Sequence, residues 1–262
     1  MTAMGSGSPE PVTAFLDANV IWGSLESDLL LTLADRGVIQ AFWSERVLAE
    51  VSRTVHRRRP GANIEGRLAA MRSSFPSAMV RGFEHLEPAM PADAGDRHVL
   101  AAAVHCGAAY LVTDNVKHFW PAQADLSIGE VSGDDFCRAL LLQRPGRVLD
   151  AVRVMTARHN RSPRTPAEFV DQAVTRSPLK VFACELNALL PRDQRGHEPA
   201  LAQMPPEIGT PAARGFAGLP AMLGARARST DPPRRRPPSR QVPPGHRPDE
   251  PALRHARPGL RP

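Results

Sequence analysis

Apolar positions in the first 190 residues switch between a strand-like and a helix-like period. Val12 to Leu16 (VTAFL) is a short apolar run with β-branched members that stops at Asp17, the pattern of a buried strand. From about Ala18 to Ala34 apolar residues recur at helical spacing, up to the stop signal Gly37. Val38 to Trp43 predicts a second strand, and Ser44 is the N-cap of a helix in which Val47, Leu48, Val51 and Val55 share one face. Pro60-Gly61 breaks that helix, a third is expected over Asn63 to Ser74, and Ala78 to Phe83 is a candidate edge strand. Asp96 then leads a helix that ends at Gly107, Ala109 to Thr113 (AYLVT) is a buried strand closed by Asp114-Asn115, and Leu126 to Val131 is the last strand.

From Gly133 to about Leu190 the period is helical throughout, and RTPAEF gives Thr165 as N-cap, Pro166 in the first helical position and Glu168 closing a capping box. Strands alternating with helices imply crossover connections and a mostly parallel sheet. The expected fold class is therefore α/β, a three-layer α/β/α domain around a central parallel sheet. The chain divides into a flexible leader (1–11), the α/β domain (12–133), a helical C-terminal extension (134–190) and a tail (191–262).

Composition changes the picture mainly at the tail. Of 27 prolines, 16 lie beyond residue 190, where PPRRRPPSR and VPPGHRP dominate, and such a segment is expected to be disordered. The formal charge of +6 is lopsided in the same way. The tail holds 13 of the 33 basic residues and 6 of the 27 acids, a net +7, which leaves residues 1–190 with 20 basic and 21 acidic residues, a net −1. The basic balance is thus no argument that the folded part binds nucleic acid; that case needs a site. Cys106, Cys137 and Cys184 are odd in number, with no CxxC and no His at zinc spacing, so a disulfide framework and a structural zinc are not expected. Neither a signal peptide nor an apolar run of about 18 residues is visible, so the expectation is a cytoplasmic protein with no membrane association.

In parallel α/β sheets functional groups gather beyond the carboxyl ends of the strands. Asp17 ends the first strand, Asp114 and Asn115 end a later one, Asp96 starts a helix opening on the same edge, and Glu50 lies in the helix after the second strand. Acids that converge this way repel one another, and a hard divalent cation relieves the repulsion. Such an ion suits phosphodiester hydrolysis, because it activates water and stabilises charge on phosphoryl oxygens. Each residue also has a plainer reading: Asp17 and Asp96 as helix caps, Glu50 on a solvated face, Asn115 as a turn residue.

Three strings sharpen this. FLDANVIW around Asp17, SERVLAEVSRTV around Glu50 and DRHVLAAAVHCGAAYLVTDN from Asp96 to Asn115 together resemble the PIN-domain nucleases over about residues 12–135. The likeness is closest to VapC-type toxins with a helical C-terminal extension, which residues 134–190 resemble. The resemblance implies a PIN-like nuclease domain that hydrolyses RNA phosphodiester bonds as an endoribonuclease, with one or two Mg²⁺ or Mn²⁺ ions as cofactor. It implies the role of toxin in a toxin–antitoxin pair, with RNA as substrate and a small antitoxin protein as partner; a homodimer is a further expectation. Asp17 and Asp96 match the metal-binding aspartates, and Glu50 and Asn115 complete the catalytic set. Members with Asn at that last position often carry Asp three residues on, where this chain has His118, and Asp114 is the other carboxylate at the strand end.

Two other readings keep the same residues: a catalytically impaired PIN-like domain serving as a binding module, and a DNA nuclease using the same site. Asn19 could orient Asp17, and Asp93 is an outer-shell or loop acid. His98 and His105 are assigned structural roles. The HRRR run (His56 to Arg59) is a solvated helix end that could also grip RNA phosphates. Trp22, Trp43 and Trp120 are core or partner-facing, base stacking being one use.

Overall fold

The computed structural model describes residues 9–115 and 126–196. Five parallel strands form one sheet: β1 (Val12–Leu16), β2 (Ile39–Ser44), β3 (Met79–Val80), β4 (Tyr110–Val112) and β5 (Gly129–Val131), in the order β3-β2-β1-β4-β5. β1 is central, with Ala14 opposite Ala41 of β2 and Tyr110 of β4. Successive side chains of a strand point to opposite faces. Ala14, Phe15 and Leu16 are nonetheless all buried, as are Tyr110, Leu111 and Val112, so both faces of the sheet are covered by helices. This is the α/β/α layering of a PIN-like fold.

The chain steps outward from β1 to β2 to β3 and then crosses back to lay β4 on the other side of β1. The switch point of the topology therefore lies between β1 and β4, and in such sheets the crevice beyond the strand ends at that point receives ligands.

The helices between the strands are α1 (Ala18–Trp22), α2 (Ser24–Asp35), α3 (Glu45–Arg58), α4 (Ile64–Ser74) and α5 (Arg97–His105). Where one helix was expected over 18–34 there are two, because Gly23 takes an extended ψ of 125° and separates α1 from α2. The candidate edge strand over 78–83 shrinks to Met79–Val80. A 3₁₀ turn over Pro76–Ala78 precedes it, and Gly82 at φ +77° bends the chain away after it. In α3, Ser44 caps the helix by accepting the Val47 N–H, and Val47, Leu48, Val51 and Val55 are buried as their spacing predicts. Helix α5 is buried nearly all round, from His98 to Ala103.

The C-terminal region is helical: α6 (Gly133–Gln143), α7 (Pro145–Arg158), α8 (Pro166–Arg176) and α9 (Lys180–Leu189). These helices pack on the sheet domain. Phe136 of α6 meets Tyr110 of β4 at a ring separation of 5.8 Å, and α7 lies along α2. At the α7 end, the Arg144 guanidinium donates to the carbonyls of Val38 and Glu10, and Arg147 donates to those of Arg36 and Gly37. Thr165 caps α8 as predicted. The Glu168 carboxylate, however, accepts from the Arg164 N–H and the Ser162 hydroxyl, so it braces the turn before the cap. Residues 191–196, placed in the tail by composition, fold back on α9, where the Gly196 N–H donates to Asn187 Oδ1 at 2.9 Å.

All described residues lie in the first of the chain's two units, Met1–Ser229. Among them no helix is long and apolar enough to cross a membrane. Most of the leader and of the tail, together with His118 and Trp120, lie outside the described residues.

Candidate active site

Beyond the carboxyl ends of β1 and β4 a cleft of about 470 Å³ is lined by Asp17, Glu50, Asp96 and Asn115, with Asn19 and Trp22 beside them. The four residues reach it from separate elements. Asp17 follows β1 and caps α1, its Oδ1 accepting the Ala18 N–H at 2.6 Å. Glu50 rises from the middle of α3, Asp96 stands at the N-cap of α5, and Asn115 follows β4. The capping role is real for Asp17, and its other oxygen remains directed to a second task. Asp96 makes no capping hydrogen bond through its side chain, so its carboxylate is not spent on closing the helix end.

A network that the sequence reading did not assign fixes Asp17. Thr113, fully buried, donates its hydroxyl to Asp17 Oδ2 at 2.8 Å. The Thr113 hydroxyl oxygen itself accepts from Asn19 Nδ2 at 2.9 Å and from the Asn115 N–H at 3.1 Å. One donor and two lone pairs are the full capacity of a hydroxyl, so Thr113 is saturated. Asn19 Oδ1 in turn accepts the Asp114 N–H at 3.1 Å. Asn19 therefore positions Asp17 through Thr113, and ties the start of α1 to the end of β4.

Burial, followed by the charges of Glu50 and Asp96, pushes the Asp17 carboxyl above its usual range, while the bonds from Thr113 and Ala18 pull it back. Such mutual repulsion is what a bound cation relieves. The donor set is oxygen only, which suits a hard divalent ion that keeps several of its waters and takes one or two carboxylates. Among the described residues no three His, Cys, Asp or Glu side chains form a ready cage.

His98, read as structural, is wholly buried and places Nε2 2.9 Å from Glu50 Oε1. The pair lacks hydrogen-bond alignment, yet the imidazole backs the carboxylate on its core side. One face of α3 supplies the rest of that wall: Glu50, Arg53, Thr54 and Arg57 recur at i, i+3, i+4 and i+7, with Arg58 alongside. The cleft is thus acidic in its depth and cationic along its rim.

Asp114 turns away from the cleft. Its carboxylate accepts the Gly133 N–H and lies near Glu26, as the alternation at a strand end dictates. Asp93 does not line the cleft either. Glu26 is an acid the sequence reading passed over. It is about 1% exposed, its Oε1 has no hydrogen-bond partner, and it packs where a side chain on Gly133 would otherwise sit. Burial, then the charges of Asp114 and Asp134, pushes its carboxyl up to about 9. The signal was present: Glu26, Leu29, Leu30 and Leu33 share the buried face of α2 at helical spacing.

Neither a curated protein nor a solved structure matches this chain. The segment that builds the sheet from β1 to the end of β4, together with the whole cleft, does have a match: residues 13–117 fit the family model of the PIN domain.

Proposed function

We propose that this protein is a divalent-metal-dependent endoribonuclease that hydrolyses RNA phosphodiester bonds, and that it is the toxin of a toxin–antitoxin pair. The observation that carries the reading is the meeting of Asp17, Glu50, Asp96 and Asn115 in one cleft at the switch point of the sheet. The segment concerned matches the PIN domain, which points to nuclease activity in general.

Asp17 and Asp96 are the residues that would hold Mg²⁺ or Mn²⁺. A divalent cation there supplies Lewis-acid stabilisation of negative charge on the phosphoryl oxygens. Glu50, backed on its core side by His98, accepts a proton from the attacking water, and the Asn115 amide orients the scissile phosphate. The water oxygen bonds to phosphorus as the bond to the 3′-oxygen breaks. Glu50 takes one proton from the water and the leaving oxygen gains one from solvent, giving a 5′-phosphate and a 3′-hydroxyl. Thr113 and Asn19 hold the Asp17 carboxylate still while this happens. Arg57 and Arg58 on the rim offset the charge of the flanking phosphates.

The test is RNA cleavage by the full chain with Mn²⁺, with a DNA strand of the same sequence run beside it. Asp96→Asn should abolish cleavage and leave the melting temperature within a few degrees of wild type; undiminished turnover would sink the assignment, and cleavage of DNA alone would move it to the other sugar. The toxin role predicts growth arrest on expression in bacteria, absent for Asp96→Asn and relieved by a small co-expressed antitoxin. Light scattering reads the expected homodimer.

One observation favours a second reading, a PIN-like domain that binds without cutting: at the end of β4 the cleft receives the amide of Asn115, while the Asp114 carboxylate accepts the Gly133 N–H instead. Isothermal titration with Mn²⁺ separates the two. The nuclease reading expects binding that Asp17→Asn removes, and the binding module expects none.

A further inference from the structure

The acidic cleft has a neighbour. A second cavity of about 150 Å³ shares Trp22 and Arg58 with it as common walls. The rest of that cavity is of two kinds. Val55, Ala62 and Ile64 make an apolar side, and Arg59 and Arg67, with the amide of Asn63, make a polar and cationic one. Trp22 is only half-buried, unlike the core residue Trp43, and the Arg58 guanidinium stacks on its ring, 4.6 Å from the centroid. Such an arrangement satisfies the ring face while no ligand is present.

The guanidinium groups differ in what holds them. Arg67 pairs with Asp28 at 2.8 Å, and Arg53 leans on Glu50 at 3.7 Å. Among the described residues no carboxylate pairs with Arg57, Arg58 or Arg59. Three exposed cations therefore line the passage from the acidic cleft to an apolar slot faced by an aromatic ring. A free phosphate has no use for the apolar wall, and an apolar peptide has no use for the row of cations. A ligand that alternates anionic groups with flat apolar faces uses both.

We propose that the 150 Å³ cavity is a subsite for one unstacked nucleobase of a single-stranded nucleic acid, next to the phosphate seated in the acidic cleft. Trp22 is the stacking platform. Arg58 leaves the ring face when the base arrives and turns to a backbone phosphate, so one residue covers the empty site and then holds the filled one. A base inside a duplex cannot reach the slot without leaving its stack, which makes the subsite a selector for single strands. The proposal rests on the nuclease reading for the position of the phosphate, but binding can be read without cleavage.

The experiment uses the full chain carrying Asp96→Asn, and measures fluorescence anisotropy of labelled RNA and DNA octanucleotides, each also made wholly abasic. Adding Trp22→Ala should weaken binding of the base-containing strand by about tenfold, the order that one base–aromatic stack supplies. The abasic strand should bind weakly to both proteins and equally. Trp22→Phe should restore binding to within about threefold, which a merely structural role of the indole would not predict. Arg58→Ala, at an exposed position, should lower the salt slope by about one contact. Equal binding by Trp22→Ala and its parent, or an equal loss with the abasic strand, overturns the subsite and leaves this face to a protein partner. If the chain with Asp96 intact cuts nothing while strands bind in a Trp22-dependent way, the subsite stands and the nuclease reading falls. A chain that cuts RNA with no dependence on Trp22 does the reverse.

Discussion

At the scale of single residues the cleft depends on one hydroxyl. Thr113 joins Asp17, Asn19 and Asn115, so Thr113→Val removes a donor from one and an acceptor from two, at nearly constant volume. We expect a loss of about 1–3 kcal/mol in urea unfolding, the usual cost of stranding buried polar groups. The Asp17 carboxyl should rise further, since the Thr113 bond holds it down, and the acid limb of the pH–rate profile should move up with it. Unchanged stability together with an unchanged profile would show the network to be incidental. Glu26 makes a second prediction. Its carboxyl titrates near 4.5 in the unfolded chain and near 9 in the folded one. Between those values the folded state binds a proton that the unfolded state has lost, so stability falls as pH rises, by up to about 1.4 kcal/mol per pH unit. Glu26→Gln should therefore be increasingly more stable than wild type from pH 5 to pH 9 in urea midpoints; parallel curves would contradict this. Asp17, Glu50, Asp96 and Asn115 were legible because acids at strand ends and helix starts have a fixed place in an α/β sheet. The roles of Thr113 and His98 were not, because each acts by what it touches across 40 or more residues, and a single chain read in order does not show such contacts; for Glu26 the helical spacing shows its buried position but not the Asp114 and Asp134 charges around it.

At the scale of elements, α3 does two jobs with two faces. Its valines and Leu48 fix it to the core, and Glu50 with the arginines is thereby held at the cleft. Ser44→Ala removes the acceptor for the Val47 N–H and should cost about 1 kcal/mol, or about 2–4 °C in melting temperature. Because the core face survives, RNA cleavage at low temperature should fall less than twofold, and a larger loss would mean that the cap also sets the position of Glu50. The strands and α3 were readable because an apolar run or an unbroken helical period leaves one solution. The break at Gly23 was hidden, since apolar spacing continues through it while the backbone does not. That break brings Trp22 to the end of a five-residue helix, where its ring reaches both cavities.

At the scale of the whole molecule, the strand order β3-β2-β1-β4-β5 places the ends of β1 and β4 side by side, and that adjacency alone brings Asp17 to Asn115. The C-terminal helices brace the same domain, through Phe136 on Tyr110 and the arginines of α7 on the carbonyls near β2. We expect fluorescence and far-ultraviolet dichroism to report one coincident unfolding transition, and two separated transitions would show that α6 to α9 fold apart. The central claim is that side chains meeting at the switch point perform phosphodiester hydrolysis, and a variant panel tests it most directly. RNA turnover with Mn²⁺ should fall by about 10²-fold or more for Asp17→Asn, Glu50→Gln and Asp96→Asn, and should stay within about twofold for Asp114→Asn, whose carboxylate faces Gly133. Full activity in the first three variants, or a loss confined to Asp114→Asn, would contradict the account.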